Sequence, residues 1–169
     1  MKKILLIISI SLCVLFGATN FAFKTIGDSR TEALKADSVL SEQNVYFAII
    51  ALGIKYPDVA MAQVMIESGS LTSKLCKKNN NLAGMTVPSI RETTAINKTG
   101  FAKYASWLQS IIDYKMYQDY IFSKHKITSK KQYIAFLHKH YAKSPTYKAA
   151  VTKLAKYYSN LNPLNSELI

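Results

Sequence analysis

Apolar positions along the chain fall into a series of helical stripes separated by polar breaks. Val45, Phe47, Ile49, Ile50, Leu52 and Ile54 follow Ser41-Glu42-Gln43, an N-cap with an acidic first turn. They predict a largely buried helix. Tyr56-Pro57-Asp58 breaks it, because a residue before proline is driven out of helical geometry. Proline or Asp58 then opens the next helix, predicted over roughly 58–68. On that helix Ala60, Gln63, Val64 and Glu67 recur at helical spacing, so Gln63 and Glu67 share a face. Val59, Ala62, Met65 and Ile66 cover the other faces. A helix that is apolar nearly all round is usually central in its domain.

Gly69 ends this element, a short helix is predicted at about 71–77, and Asn79 to Asn81 form a loop rich in turn chemistry. The segment 82–105 changes character. Met85-Thr86-Val87, Thr93-Thr94-Ala95-Ile96 and Phe101-Ala102-Lys103-Tyr104 read as short extended pieces. Asn97-Lys98-Thr99-Gly100 is a turn between the last two, so a small antiparallel hairpin is expected here. Helical periodicity then returns. Ser106 caps a helix to about Phe122, carrying Trp107, Leu108, Ile111, Ile112, Met116 and Tyr120. Ser129 caps another to about Tyr141, and Ser144-Pro145 opens a last one to about Tyr158. The pattern predicts a mainly helical α+β domain over 41–160, with one hairpin lobe and a tail at 161–169.

The N-terminus reads differently. Lys2 and Lys3 precede an apolar run from Ile4 to Phe16, and small residues follow at Gly17, Ala18, Thr19 and Ala22. This is the pattern of a secretory signal peptide over 1–23, with a retained N-terminal anchor as the alternative. Residues 24–40 are polar and mixed and read as a leader. A periplasmic or secreted location follows from the signal peptide. Its removal lowers the net charge from +12 to +10. A basic exported protein meets anionic lipid or the anionic polymers of a cell envelope; export and the scarcity of arginine argue against nucleic acid. Arginine occurs only at Arg30 and Arg91. Of the two cysteines, Cys13 lies in the expected signal peptide, which leaves Cys76 alone and reads as a buried structural thiol.

Ten acids occur in the chain. Asp28, Glu32, Asp37 and Glu167 lie in leader and tail, and Glu42 and Asp58 sit in helix first turns. Asp113 and Asp119 lie on the long helix. That leaves Glu67 and Glu92, and Glu67 is the one with no structural explanation. It ends an apolar helix, and burying an unpaired carboxylate costs several kcal/mol, roughly. Spacing leaves two readings open: a catalytic acid kept protonated by desolvation, or an acid paired with Arg91 or a lysine to tie the hairpin to the helices. No metal ligand set appears, since His125 is isolated and His138 and His140 diverge on their helix.

Ala62-Gln63 through Glu67-Ser68-Gly69, Ser73-Lys74-Leu75 and Asn80-Asn81-Leu82-Ala83-Gly84-Met85 resemble the glucosaminidase family of bacterial wall hydrolases, glycoside hydrolase family 73. Phe101-Ala102-Lys103-Tyr104, Ser106-Trp107 and Ser110 to Tyr114 resemble that family's segment after the hairpin. Tyr141-Ala142-Lys143-Ser144-Pro145-Thr146-Tyr147 resembles its closing Tyr-Ala-Thr-Asp-Pro-x-Tyr motif. The similarity runs in order over about residues 42–158.

The resemblance implies a lysozyme-like fold with a groove between a helical body and a hairpin lobe. It implies hydrolysis, without a cofactor, of the β-1,4 bond after N-acetylglucosamine in peptidoglycan glycan strands. Glu67 matches the family's general acid, and Tyr141 the tyrosine across the groove. Asn81, Leu82 and Gly84 match the loop flanking the acid. Gln63 joins these as a substrate contact, and Tyr104 and Trp107 offer sugar-stacking faces, although each also fits the core. Glu92 is the candidate second acid, in the hairpin. A monomer is expected. Gly69-Ser70-Leu71 stands where the family often has Trp and Gly, Ala83 where it often has Phe, and Ser144 where Asp is usual. These departures keep a second reading in view: a catalytically inactive wall-binding protein on the same fold.

Overall fold

The computed structural model describes residues 39–141 and 144–161, together with 32, 34 and 35. The expected signal peptide, most of the leader and the tail after Leu161 lie outside the described residues. Six helices occur among the described residues: α1 (Glu42–Ala51), α2 (Pro57–Glu67), α3 (Lys74–Asn79), α4 (Trp107–Lys124), α5 (Lys130–His140) and α6 (Pro145–Asn160). Serine hydroxyls start four of them. Ser41, Ser73, Ser106 and Ser129 each accept a hydrogen bond from the backbone N–H three residues on, which satisfies a donor that the first turn leaves unpaired. Ser144 stands at the N-cap position of α6 but hydrogen-bonds Thr146 at 2.7 Å instead. Among the described residues no helix is long and apolar enough to cross a membrane.

Helix α2 is the centre. Asp58 through Met65 are all buried, as the all-round apolar pattern predicts. It packs most extensively against α6, and α1 lies against both α2 and α4. Helix α1 stops at Ala51, short of the expected Ile54, because Gly53 takes a left-handed φ of +65° and turns the chain. The α1–α2 turn is clamped from α4: the buried Gln118 side chain accepts from the Lys55 N–H at 2.6 Å and donates to the Lys55 carbonyl at 2.8 Å. Helix α3 begins at Lys74, not near 71. Gly69, Ser70 and Leu71 all have left-handed φ, and the Ser68 hydroxyl accepts from the Leu71 N–H at 2.9 Å.

The expected β-hairpin is not formed. Between α3 and α4 the chain makes one antiparallel bridge, Thr86 with Phe101, and no regular strand. The bridge joins 85–87 to 100–102, through Val87 N–H to Gly100 O and Ala102 N–H to Met85 O, both at 2.9 Å. The reason lies in side chains that take over ladder positions. Asn97 Oδ1 accepts from the Lys103 N–H at 2.7 Å, and its amide nitrogen donates to the Thr99 and Phe101 carbonyls. An Asn that bonds its own neighbourhood competes with a sheet ladder.

The loop is instead pinned by two buried polar groups. Asn81 donates to the Met85 and Ala102 carbonyls, each at 2.8 Å, and accepts from the Met85 N–H at 3.0 Å. Asp113 on α4 receives both Arg91 nitrogens, at 2.7 and 3.2 Å, and the Tyr104 hydroxyl at 2.6 Å. Asn81→Ala leaves two buried backbone groups, the Met85 N–H and the Ala102 carbonyl, without partners, and the Met85 carbonyl with only the Ala102 N–H. It is expected to lower stability by about 2–4 kcal/mol, read from urea unfolding; a loss under about 0.5 kcal/mol would show that the loop holds itself.

Candidate active site

Glu67 is the last residue of α2. Its position matters twice. The C-terminal end of a helix carries partial negative charge, which opposes a carboxylate there. The apolar body beneath it also withholds water. Burial pushes the Glu67 carboxyl above the ordinary value of 4.5, and the nearby Tyr147 hydroxyl partly offsets that shift by stabilising the charge. That hydroxyl is buried and makes no hydrogen bond of standard geometry. It stands adjacent to the carboxylate without being bonded to it. No cation pairs with Glu67 among the described residues. Arg91, one of the partners that the structural reading offered, is taken by Asp113.

The loop after α3 closes on the acid at Gly84. Its φ is +64°, and a Cβ placed there would lie 3.2 Å from Glu67 Oε2. Both facts select glycine. The turn is held to α4 by the Ser110 hydroxyl, which accepts from the Leu82 N–H at 3.0 Å. Across from it, Tyr141 caps the end of α5. Its hydroxyl donates to the Ala83 carbonyl, with the Met85 sulfur 3.7 Å away. The Tyr141 ring meets Tyr117 edge-on at 6.1 Å, and the Arg91 guanidinium lies 5.8 Å from the Tyr117 centroid. Burial holds the Tyr141 and Tyr147 hydroxyls well above their ordinary range, and the Glu67 charge adds to this. Both hydroxyls are thereby held in the neutral form.

These groups border an open cleft of about 590 Å³. Glu67, Gly84 and Tyr141 line it, with Met85 to Arg91 on the loop side and Tyr117, Tyr120 and His140 on the helical side. Of the sequence-predicted site residues, Glu67, Gly84 and Tyr141 are brought together. The others take different places. Gln63 is fully buried one turn below Glu67, where it accepts from Tyr114, itself bonded to Tyr133. Asn81 and Leu82 are fully buried and support the loop from beneath. Tyr104 and Trp107 are core side chains. Buried groups of this kind cannot touch a polymer in the cleft. Glu92 is exposed and is not among the cleft-lining residues, while its neighbour Arg91 turns inward. Glu67 is thus the one carboxylate on the cleft among the described residues.

Tyr147, Tyr117 and Arg91 went unassigned as site residues. A signal existed for two of them. Tyr147 closes the same motif that supplied Tyr141, and Tyr114, Tyr117 and Tyr120 recur every three residues along α4. Among the described residues no group of three or more His, Cys, Asp or Glu side chains is placed to hold a metal ion.

A carboxyl with a raised folded pKa holds its proton more tightly folded than unfolded. Stability therefore falls as pH rises from 4.5 through the raised value, and the loss is complete above it. Glu67→Gln removes that loss. The variant is expected to be more stable than the parent near pH 8, with the gap closing toward about pH 4. Urea unfolding at both pH values checks this; a gap that does not change with pH would mean that the carboxyl is unperturbed.

Comparison with known proteins agrees with the local motifs. No curated protein and no solved structure gives a significant match. A model of the glucosaminidase family, described as mannosyl-glycoprotein endo-beta-N-acetylglucosaminidase, matches residues 45–160. That span covers more than half of the chain and includes Glu67, Gly84, Tyr141 and Tyr147, and the chain belongs to this family.

Proposed function

We propose that the protein is an exported endo-β-N-acetylglucosaminidase that hydrolyses the β-1,4 bond after N-acetylglucosamine in peptidoglycan, with Glu67 as general acid. The observation that carries this reading is a half-buried carboxyl on an open cleft, without a cationic partner among the described residues and with its pKa raised by desolvation. A general acid must hold its proton until the leaving oxygen can take it. The open form of the cleft supports a polymeric substrate rather than a small enclosed one.

In this mechanism Glu67 protonates the glycosidic oxygen as the bond to the sugar's anomeric carbon breaks. Charge then develops on an oxocarbenium-like centre. Water supplies the hydroxyl at that carbon, and its remaining proton restores the acid. Tyr147, beside the carboxylate, stabilises the negative charge that Glu67 acquires once the proton has left. Tyr141, whose proton goes to the Ala83 carbonyl, orients either the 2-acetamido N–H or the attacking water by accepting at its hydroxyl oxygen. With Glu92 away from the cleft, the second carboxylate of a paired-acid mechanism is not supplied by that residue. Assistance by the substrate's acetamido group and attack by a loosely held water both remain consistent with this site. The apolar N-terminal run after Lys2 and Lys3 supports export, and the +12 charge supports contact with an anionic envelope.

Glu92's position also favours a second reading, a wall-binding protein without turnover. One experiment separates the two. Purified peptidoglycan is digested with the parent and with Glu67→Gln, and the fragments are borohydride-reduced and weighed by mass spectrometry. New reduced N-acetylglucosamine ends are expected from the parent. The variant should make them about two to four orders of magnitude more slowly. Muramic or anhydro-muramic ends would assign a different bond or reaction. No new ends from folded protein that still binds the polymer would establish the binding reading.

A further inference from the structure

The cleft extends past the acid to a rim of different chemistry. Tyr120 and His140 line this part. Lys124, the last residue of α4, holds its ammonium 5.9 Å from the Tyr120 ring centroid. His140, the last residue of α5, stacks on Phe136 at 4.5 Å and an interplanar angle of 28°. His125 packs on the same Phe136 at 4.8 Å and lies 6.0 Å from His140. His140 and Tyr120 belong to the cleft wall, and the ends of α4 and α5 set Lys124 and a second imidazole, His125, next to them, with Phe136 ordering the two imidazoles.

Helix dipoles explain a cation at each helix end. They do not explain the surroundings. From Asp119 to Glu167 the intervening chain carries nine lysines, three histidines and no acid. Asp119 itself is paired with Lys115. Among the described residues no acid pairs with Lys124, His125 or His140. On the opposite wall the Arg91 charge is spent on Asp113. Among the described residues Lys124 is thus a cation without an acid partner beside the cleft wall, with two imidazoles next to it.

A bare N-acetylated glycan is neutral and has no use for such an edge. Peptidoglycan differs by the peptides on alternate sugars, which carry free carboxylates. We propose that the rim formed by Lys124, His125 and His140 is a carboxylate subsite that takes the peptide of the strand bound in the cleft, so that the protein selects peptide-bearing glycan over bare glycan. The inference rests on the proposed substrate but concerns binding, not bond cleavage. Tyr120 and Phe136 give the peptide backbone an apolar floor, and Lys124 and the imidazoles donate to its carboxylates.

Binding is tested with full-length Glu67→Gln, so that turnover does not intervene. Two sets of glycan strands of matched length are compared, one peptide-bearing and one stripped by an amidase. Peptide-bearing strands are expected to bind about tenfold tighter at low salt, with the ratio shrinking as salt rises. Adding Lys124→Met and His140→Gln should reduce the ratio to about two, whereas Lys124→Arg should keep it. Melting temperatures report whether each variant folds. Equal affinity of Glu67→Gln for both strand types would overturn the proposal. So would an equal loss on both strands in the double variant, or a loss confined to walls that bear phosphate polymers. The two readings fail separately. A parent that releases no new reducing ends while the binding ratio holds defeats the catalytic assignment alone, and the reverse pattern defeats the subsite alone.

Discussion

The structure depends on one constraint, a helix buried from Asp58 to Met65 that ends on a carboxyl. Helix α2 is enclosed from Asp58 to Met65, chiefly by α6 and α1. Glu67 stands two residues past that enclosed stretch, at the edge where the apolar body meets the cleft. Its carboxyl can be neither fully solvated nor neutralised by a cation among the described residues. Desolvation and the helix terminus both favour the proton. Gly84, Tyr141 and Tyr147 make sense only around that residue. Gly84 lets the loop approach so closely that a Cβ there would lie 3.2 Å from the carboxylate. Tyr141 fixes the loop by its bond to Ala83, and Tyr147 moderates the charge.

The second determinant is how the chain disposes of Arg91. A bidentate guanidinium near an acid would hold that acid ionised. Asp113 prevents this. It sits fully buried on α4 and engages both Arg91 nitrogens and the Tyr104 hydroxyl. A buried pair of this kind is retained because removing one partner would cost about 3–5 kcal/mol. The same contact anchors an irregular loop that has almost no strand pairing of its own. One ion pair therefore shapes the loop wall of the cleft and keeps a cation off the acid.

Much of this was legible in the sequence, for identifiable reasons. Ser41, Ser106 and Ser129 announced their helices because a capping hydroxyl is a local device that needs no tertiary partner. The all-round apolar pattern of 59–66 announced a central helix. Glu67 stood out by elimination among ten acids. What failed was any statement that needed depth or pairing. Gln63 does share a helical face with Glu67, but one turn is enough to carry it from the cleft into the core. Tyr104 and Trp107 could have been sugar platforms or core, and burial decided for the core. The hairpin failed because the Asn97 side chain outcompetes the backbone for its own turn, a choice that alternation of apolar residues does not encode.

The central claim is that the fold itself keeps Glu67 protonated beyond the range of an ordinary glutamate. Direct titration of the Glu67 carboxyl carbon by NMR, in the folded protein, tests it most directly. The account predicts a midpoint clearly above 4.5 in the parent and a further rise in Tyr147→Phe, which lacks the hydroxyl that moderates the charge. A midpoint at or below 4.5 would contradict it, because Glu67 would then be a solvated or paired carboxylate with no proton to give.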